Sequence, residues 1–129
     1  MRKVVLMVLL AAASSNAAAK WTYSGRSDRA TSYTDLATIR KSGNMVKMWG
    51  LIDFKTGQDN GREKPYLSLK LQSEYDCKEE RERLLYASFH SEKMGQGEIV
   101  SVNRNPSEWS PIVPNSLVAG DWEIACGKK

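Results

Sequence analysis

Residues 67–77 alternate apolar and polar side chains over eleven positions. Successive side chains of a β-strand point to opposite faces of a sheet, so this pattern predicts a strand with one buried and one hydrated face. The apolar set, which Ser73 interrupts, is Leu67, Leu69, Leu71, Tyr75 and Cys77. The alternation therefore also predicts that Cys77 points into the core.

Similar patterns on both sides of this segment predict further strands. Residues 45–54 form a long segment whose two alternating sets are both largely apolar, which is typical of a central strand. Residues 81–89 follow after the short charged stretch 78–80, a spacing that predicts a hairpin. Shorter strands are expected near residues 21–23, 30–34 and 99–102, and a polar loop over residues 56–64.

The C-terminal part of the chain has a different character. Pro106, Pro111 and Pro114 exclude a central strand there, because proline cannot donate to a sheet ladder. Residues 117–126 then place apolar side chains at helical spacing, with Gly127 as a stop. The predicted fold class is α+β: a single antiparallel β-sheet of about six strands, with a C-terminal helix packed on it.

The first nineteen residues predict export. A positive head, an apolar run over residues 4–13 and Ala17-Ala18-Ala19 before Lys20 are typical of a signal peptide. A membrane span needs roughly 20 apolar residues, which makes a permanent N-terminal anchor the less favoured alternative. We therefore expect a signal peptide over residues 1–19 and one domain over residues 20–129. We expect that domain to be periplasmic or secreted, and not lipid-anchored, because no cysteine lies near the cleavage point.

The charge of the exported domain narrows the class of partner. Without the leader, the chain keeps 17 basic and 15 acidic residues, a net charge of +2. Nucleic-acid-binding domains usually carry a strong basic patch, so we expect no nucleic-acid partner. We also expect no stable membrane insertion after cleavage of the leader. The sequence leaves both a monomer and a homodimer open as alternatives.

The two cysteines, Cys77 and Cys126, are expected to pair after export. They lie 49 positions apart, and closing a loop of that length stabilises a fold by roughly 4 kcal/mol in the loop-entropy treatment. The alternative is a pair of metal-ligating or redox thiols. A C-x-x-C spacing and a second histidine, which would favour that alternative, are both missing from the sequence.

Few side chains suggest catalysis. His90 is the one histidine, and we expect a surface residue rather than a catalytic base or a haem ligand. The mixed charges of residues 78–83 predict a solvated hairpin turn, and Trp109 is expected to cover an edge of the sheet. The sequence therefore predicts neither an enzyme nor a site for a metal or another cofactor.

Several short motifs are distributed over the domain. Before the long strand lie Tyr33-x-Asp35 and the turn at residues 39–44. The middle of the domain contains the run Glu74-Tyr75-Asp76-Cys77, then Arg81 and Arg83, and the run Met94-Gly95-Gln96-Gly97-Glu98. The C-terminal helix is preceded by a Pro-x-Ser motif and ends with Ala125-Cys126. Together they resemble the surface-adhesin protein E family of Gram-negative bacteria, over roughly residues 21–126. The resemblance implies a six-stranded antiparallel sheet with a C-terminal helix and a Cys77–Cys126 bond.

The resemblance also implies a function. The family is described as binding host matrix and plasma proteins, such as vitronectin and laminin, and haem. Lys64 and Lys70 match basic residues of its ligand-binding segment, although this chain has fewer basic residues there and no lipidated cysteine. We therefore expect a non-enzymatic module that binds a protein partner through Lys64, Lys70, Arg81 and Arg83. A periplasmic inhibitor of a secreted hydrolase and a haem-binding carrier using His90 are the alternatives.

Overall fold

The computed structural model of the chain describes residues 20–59, 61 and 64–128. The predicted signal peptide over residues 1–19 lies outside the described residues. The strands are β1 (Thr22–Arg26), β2 (Ala30–Ser42), β3 (Met45–Gln58), β4 (Tyr66–Asp76), β5 (Arg81–His90), β6 (Ile99–Asn103) and β7 (Ser110–Pro111). A short 3₁₀ helix at Lys93–Gly95 precedes β6, and the helix α1 spans Leu117–Cys126.

The sheet is an antiparallel meander. Strands β1 to β6 lie side by side in the order of the sequence, and the two-residue β7 pairs with the far end of β5. The predicted central position of the long strand is confirmed, because β3 lies between β2 and β4. The fold is therefore α+β, with one antiparallel sheet and one C-terminal α-helix in the described part of the chain.

Helix α1 covers one face of the sheet, which we call the helix face. Its N-cap is Ser116, whose hydroxyl accepts a hydrogen bond from the Ala119 backbone N–H at 3.1 Å. Its C-cap is Gly127, in the left-handed conformation (φ 67°) that glycine adopts without strain. The core beneath the helix is formed by Val46, Met48, Tyr75, Trp122 and Ala125.

A covalent bond and a hydrogen bond hold α1 on the sheet. The sulfurs of Cys77 and Cys126 are bonded, with their Cα atoms 5.6 Å apart, so the predicted disulfide is confirmed. It joins the end of α1 to the turn after β4. The indole N–H of Trp122 donates to the Asp76 carbonyl at 3.1 Å, which satisfies the polar atom of an otherwise apolar buried side chain.

Some element boundaries differ from the predicted ones. Strand β3 continues to Gln58, so the first part of the predicted loop at residues 56–64 is wrong. Strand β2 runs on to Ser42 rather than ending at residue 34, and its register shifts between Asp35 and Arg40. The 3₁₀ helix was not predicted, because three residues are too few to show a period.

A register shift in β5 corrects the predicted facing of that strand. The pattern alone places Leu84 and Tyr86 on one face. In the structure Ser73 pairs with Leu84 while Gln72 pairs with Tyr86, so Leu85 is an extra residue, a β-bulge. Residues before the bulge therefore change face, and Glu82 and Leu84 lie on the helix face.

Candidate partner-binding surface

The face of the sheet opposite α1 is not covered by that helix, and we call it the open face. The 3₁₀ helix packs on one part of it, over Leu51 and Lys70. Residues directly opposite each other on neighbouring strands share a face, which assigns its members row by row. One row contains Tyr33, Leu51, Lys70 and Ser88. The next contains Asp35, Trp49, Gln72 and Tyr86.

Arg81 and Arg83 lie at one end of this face, two positions apart on β5. The Arg81 Nε donates to Asp76 Oδ2 at 3.0 Å. The Arg83 Nε and NH2 atoms both contact Glu74 Oε1, at 2.9 and 2.8 Å. The carboxylate side chains are only 3% and 12% exposed, whereas the arginine side chains are 40% and 35% exposed. The acids therefore lie beneath the cations, and the outer layer is positive.

Trp109 packs against both arginines. Their guanidinium carbons lie 4.5 and 4.8 Å from the centre of its ring, within the range of cation–π attraction. The proline-rich loop that carries Trp109 is held at β5, because Ser107 and Leu84 form hydrogen bonds of 2.8 and 2.9 Å with each other. We call Arg81, Arg83 and Trp109 the arginine–tryptophan cluster; its geometry is fixed before any partner arrives.

Asp76 contributes an electrostatic anchor below this cluster. Hydrogen bonds from the backbone N–H groups of Glu79 (3.0 Å) and Lys78 (3.1 Å), together with the Arg81 guanidinium, hold the pKa of Asp76 below its ordinary value, with the Glu79 bond the largest cause. The carboxylate is therefore ionised at neutral pH and keeps Arg81 in place.

The lysines lie apart from the arginine–tryptophan cluster. Lys70 is on the open face of β4, four positions from the residue that pairs with Arg83, a separation of about 13 Å along a strand. It is half-buried beneath Gly95 of the 3₁₀ helix. Lys64 lies before β4 and forms an exposed ion pair with Glu98 at 3.0 Å. The four predicted basic residues therefore do not form one compact patch.

Aromatic side chains add to the open face, and the sequence interpretation missed them. Trp49 and Tyr86 stack edge-to-face with ring centres 5.4 Å apart, and Arg104 lies over the Tyr86 ring at 5.5 Å. Tyr23 and Tyr33 form a second edge-to-face pair at 6.4 Å. Trp49 lies two positions from Lys47 in β3 and therefore on the same face as that lysine, which was the available signal.

His90 is buried, so the prediction of a surface histidine is wrong. It is 5% exposed, and its Nε2 lies 2.8 Å from the Ser88 hydroxyl. Burial, and then the nearby charge of Lys70, lower the pKa of His90, so the ring stays neutral at neutral pH. Ser68 pairs with His90 across the two strands, and its hydroxyl accepts a hydrogen bond from the Gly95 N–H at 2.8 Å. This bond holds the 3₁₀ helix close to His90, which explains why the histidine is buried.

No group of three or more His, Cys, Asp or Glu side chains suited to a metal ion occurs among residues 20–59, 61 and 64–128. Within the same ranges, no helix has both the length and the apolar character needed to cross a bilayer.

Comparison with solved structures finds the same architecture in Haemophilus influenzae protein E. One structure of it superposes with a TM-score of 0.62 at 14% identity, covering 81% of this chain and 83% of that one. A second crystal form gives a TM-score of 0.61 at 14% identity, covering 86% and 97%. Protein E from a non-typeable strain gives 0.59 at 14% identity, covering 84% and 78%. At such identities the likeness concerns the fold.

No similar sequence was found among curated proteins. The profile of the surface-adhesin protein E family, in contrast, matches residues 21–127, which is almost the whole predicted exported domain. The chain therefore belongs to the surface-adhesin protein E family.

Proposed function

We propose that this protein is an exported, non-enzymatic binding module that holds a protein partner on its open face. The observation that carries the proposal is the arginine–tryptophan cluster, Arg81, Arg83 and Trp109, on a face that α1 leaves uncovered. Membership of a surface-adhesin family supports a binding role. The signal peptide at residues 1–19 would be removed, and the domain at residues 20–129 would act in the periplasm or outside the cell without a lipid anchor.

The cluster suits protein recognition for an energetic reason. Arginine and tryptophan are among the residues that contribute most to binding energy at protein interfaces. A flexible side chain usually costs about 0.5–1.5 kcal/mol to immobilise on binding. Here Asp76, Glu74 and Trp109 already hold both guanidinium groups, so much of that cost is met on folding.

Lys64 and Lys70 extend the proposed surface beyond the cluster. Lys64 is exposed, and its ion pair with Glu98 is of the kind that contributes little to stability, so it is free to exchange partners. Lys70 presents a half-buried charge in the middle of the open face. The proposed partner is a host matrix or plasma protein, as the family resemblance implies.

The test is a solid-phase binding assay. The exported protein, purified from the periplasm of an expression host, is titrated onto immobilised vitronectin and laminin. We expect saturable binding that falls at least tenfold in an Arg81→Gln/Arg83→Gln variant, and several-fold in a Lys64→Ala/Lys70→Ala variant. A Lys41→Ala/Lys55→Ala variant removes the same charge from exposed positions elsewhere and should bind normally. An equal loss of binding in all of these variants would show that the interaction depends only on net charge. The absence of saturable binding would show that vitronectin and laminin are not partners of this protein.

A further inference from the structure

A cavity of about 190 Å³ lies on the helix face, between α1 and strands β4 and β5. Its walls are mainly apolar and include Leu71, Leu84 and Val118. Its polar lining includes Tyr75, Glu82 and Asp121. It is on the opposite side of the sheet from the arginine–tryptophan cluster, so it belongs to none of the contacts described above.

Two carboxylates from different elements line this cavity. Asp121 projects from α1 and accepts from the Ser32 hydroxyl at 3.3 Å, and that hydroxyl accepts in turn from Ser24 at 3.1 Å. Glu82 projects from β5. None of the residues that line the cavity is basic, and neither acid takes part in an ion pair among the described residues.

The arrangement is electrostatically unfavourable when the cavity contains water alone. Burial raises the pKa of Asp121 to about 6, opposed in part by the nearby hydroxyls of Ser24 and Ser32. Burial, and then the charge of Asp121, raise the pKa of Glu82 as well. Perturbed acids that converge in a pocket with apolar walls are a recognised indicator of a binding site, because a ligand of opposite charge relieves the conflict.

Tyr75 supplies a further independent indication. The residue is 3% exposed, yet its phenol lines the cavity. A side-chain hydrogen bond with Ser73 uses part of the hydrogen-bonding capacity of the phenol oxygen, and the oxygen can still take part in another hydrogen bond. Burial, and then the charge of Asp121, raise the pKa of Tyr75, which keeps the hydroxyl protonated. An aromatic ring with an available oxygen beside two carboxylates is suited to an ammonium group.

We propose that this cavity binds a small organic cation: a primary ammonium group between Glu82 and Asp121, with a short hydrocarbon chain against Leu71, Leu84 and Val118. A bare metal ion fits less well, because the walls are largely apolar and two carboxylates do not complete a coordination shell. The site is independent of the protein-binding role proposed above, since it uses the other face of the sheet.

The test uses n-butylammonium as the probe and butan-1-ol, of nearly the same shape but uncharged, as its control. Isothermal titration of the purified exported protein at pH 7.5 should give saturable 1:1 binding of the amine and none of the alcohol. Glu82→Gln and Asp121→Asn should each weaken binding at least tenfold. Glu123→Gln removes an exposed acid from the outer side of α1 and should leave the affinity unchanged.

A measurement on the unmodified protein guards against variants that fail to fold. Asp121 faces Glu82 of β5, Tyr75 of β4 and the hydroxyls of β1 and β2, so protonation of Asp121 is expected to dominate between pH 7.5 and 5. Affinity for n-butylammonium should therefore fall several-fold over that range. The proposal is overturned by equal binding of the alcohol, by affinity that does not depend on pH, or by the same loss in the Glu123→Gln variant.

Discussion

Asp121 is a single residue whose burial sets a pH dependence for the whole protein. Its pKa is raised to about 6 in the folded state, above the ordinary value of 3.8, mainly by burial. Between these two values the folded state keeps a proton that the unfolded chain has already released, so stability falls as pH rises through this window. Above pH 6 the folded protein carries the cost of an ionised, half-buried carboxylate that has no ion-pair partner among the described residues.

Replacement of Asp121 by Asn should remove that dependence. The amide can keep its contact with Ser32 but never ionises, so we expect Asp121→Asn to stabilise the protein by about 2 kcal/mol at pH 7.5 and by almost nothing at pH 4. Urea unfolding at both pH values measures the difference. An Asp121→Asn variant that is no more stable than the wild type at pH 7.5 would show that the carboxylate is better solvated than its burial indicates.

Individual residues are also where the sequence was least informative. Glu82 was interpreted as part of a solvated turn and His90 as a surface histidine, because each lies among polar neighbours along the chain. Glu82 lines a cavity on the helix face because of the bulge at Leu85. His90 is buried beside a short 3₁₀ helix. Both outcomes depend on contacts between distant segments, which strand periodicity does not report.

At the scale of elements, the 3₁₀ helix at Lys93–Gly95 controls how much of the open face is covered. Gly95 has φ 71° and packs so closely that an added Cβ would lie 2.5 Å from Lys70 Cε. Gly43, in the turn between β2 and β3, has a similar φ of 60° with nothing within 4 Å of such an atom. Substitutions at Gly95 and Gly43 therefore separate the cost of backbone strain, which both positions share, from the cost of disturbed packing, which applies to Gly95 alone.

Alanine at these two glycines should therefore have different costs. Gly43→Ala is expected to destabilise the protein by about 1 kcal/mol, the cost of a left-handed conformation for a residue with a Cβ. Gly95→Ala adds displacement of Lys70 and should cost about 2 kcal/mol in urea unfolding. Equal destabilisation by the two substitutions would show that the lysine side chain moves aside freely.

Elements with a clear period were predicted well. The alternation over residues 67–77 and the helical spacing over residues 117–126 predicted β4 and α1 almost to the residue, and the predicted hairpin at residues 78–80 connects β4 to β5. The arginine–tryptophan cluster could be anticipated only in part, because Arg81 and Arg83 were identified but the position of Trp109 depends on an irregular loop.

For the whole molecule, the Cys77–Cys126 bond joins the two layers of the fold. Closing a loop of 49 residues is expected to contribute roughly 4 kcal/mol. A Cys77→Ala/Cys126→Ala variant should therefore lose about that much free energy of unfolding. The wild type under reducing conditions serves as the control and should show the same loss, and a loss below about 1 kcal/mol would mean that packing of Trp122 alone holds the helix.

The order of the strands has a consequence for biogenesis. Each of β2 to β6 pairs with the strand synthesised just before it, so none of these strands waits for a distant segment in order to find its neighbour. A chain of this topology can assemble hairpin by hairpin as it emerges from a translocation pore. After β6 the chain turns back to pair β7 with β5 and then crosses the other face as α1, and formation of the Cys77–Cys126 bond fixes this last segment on the completed sheet.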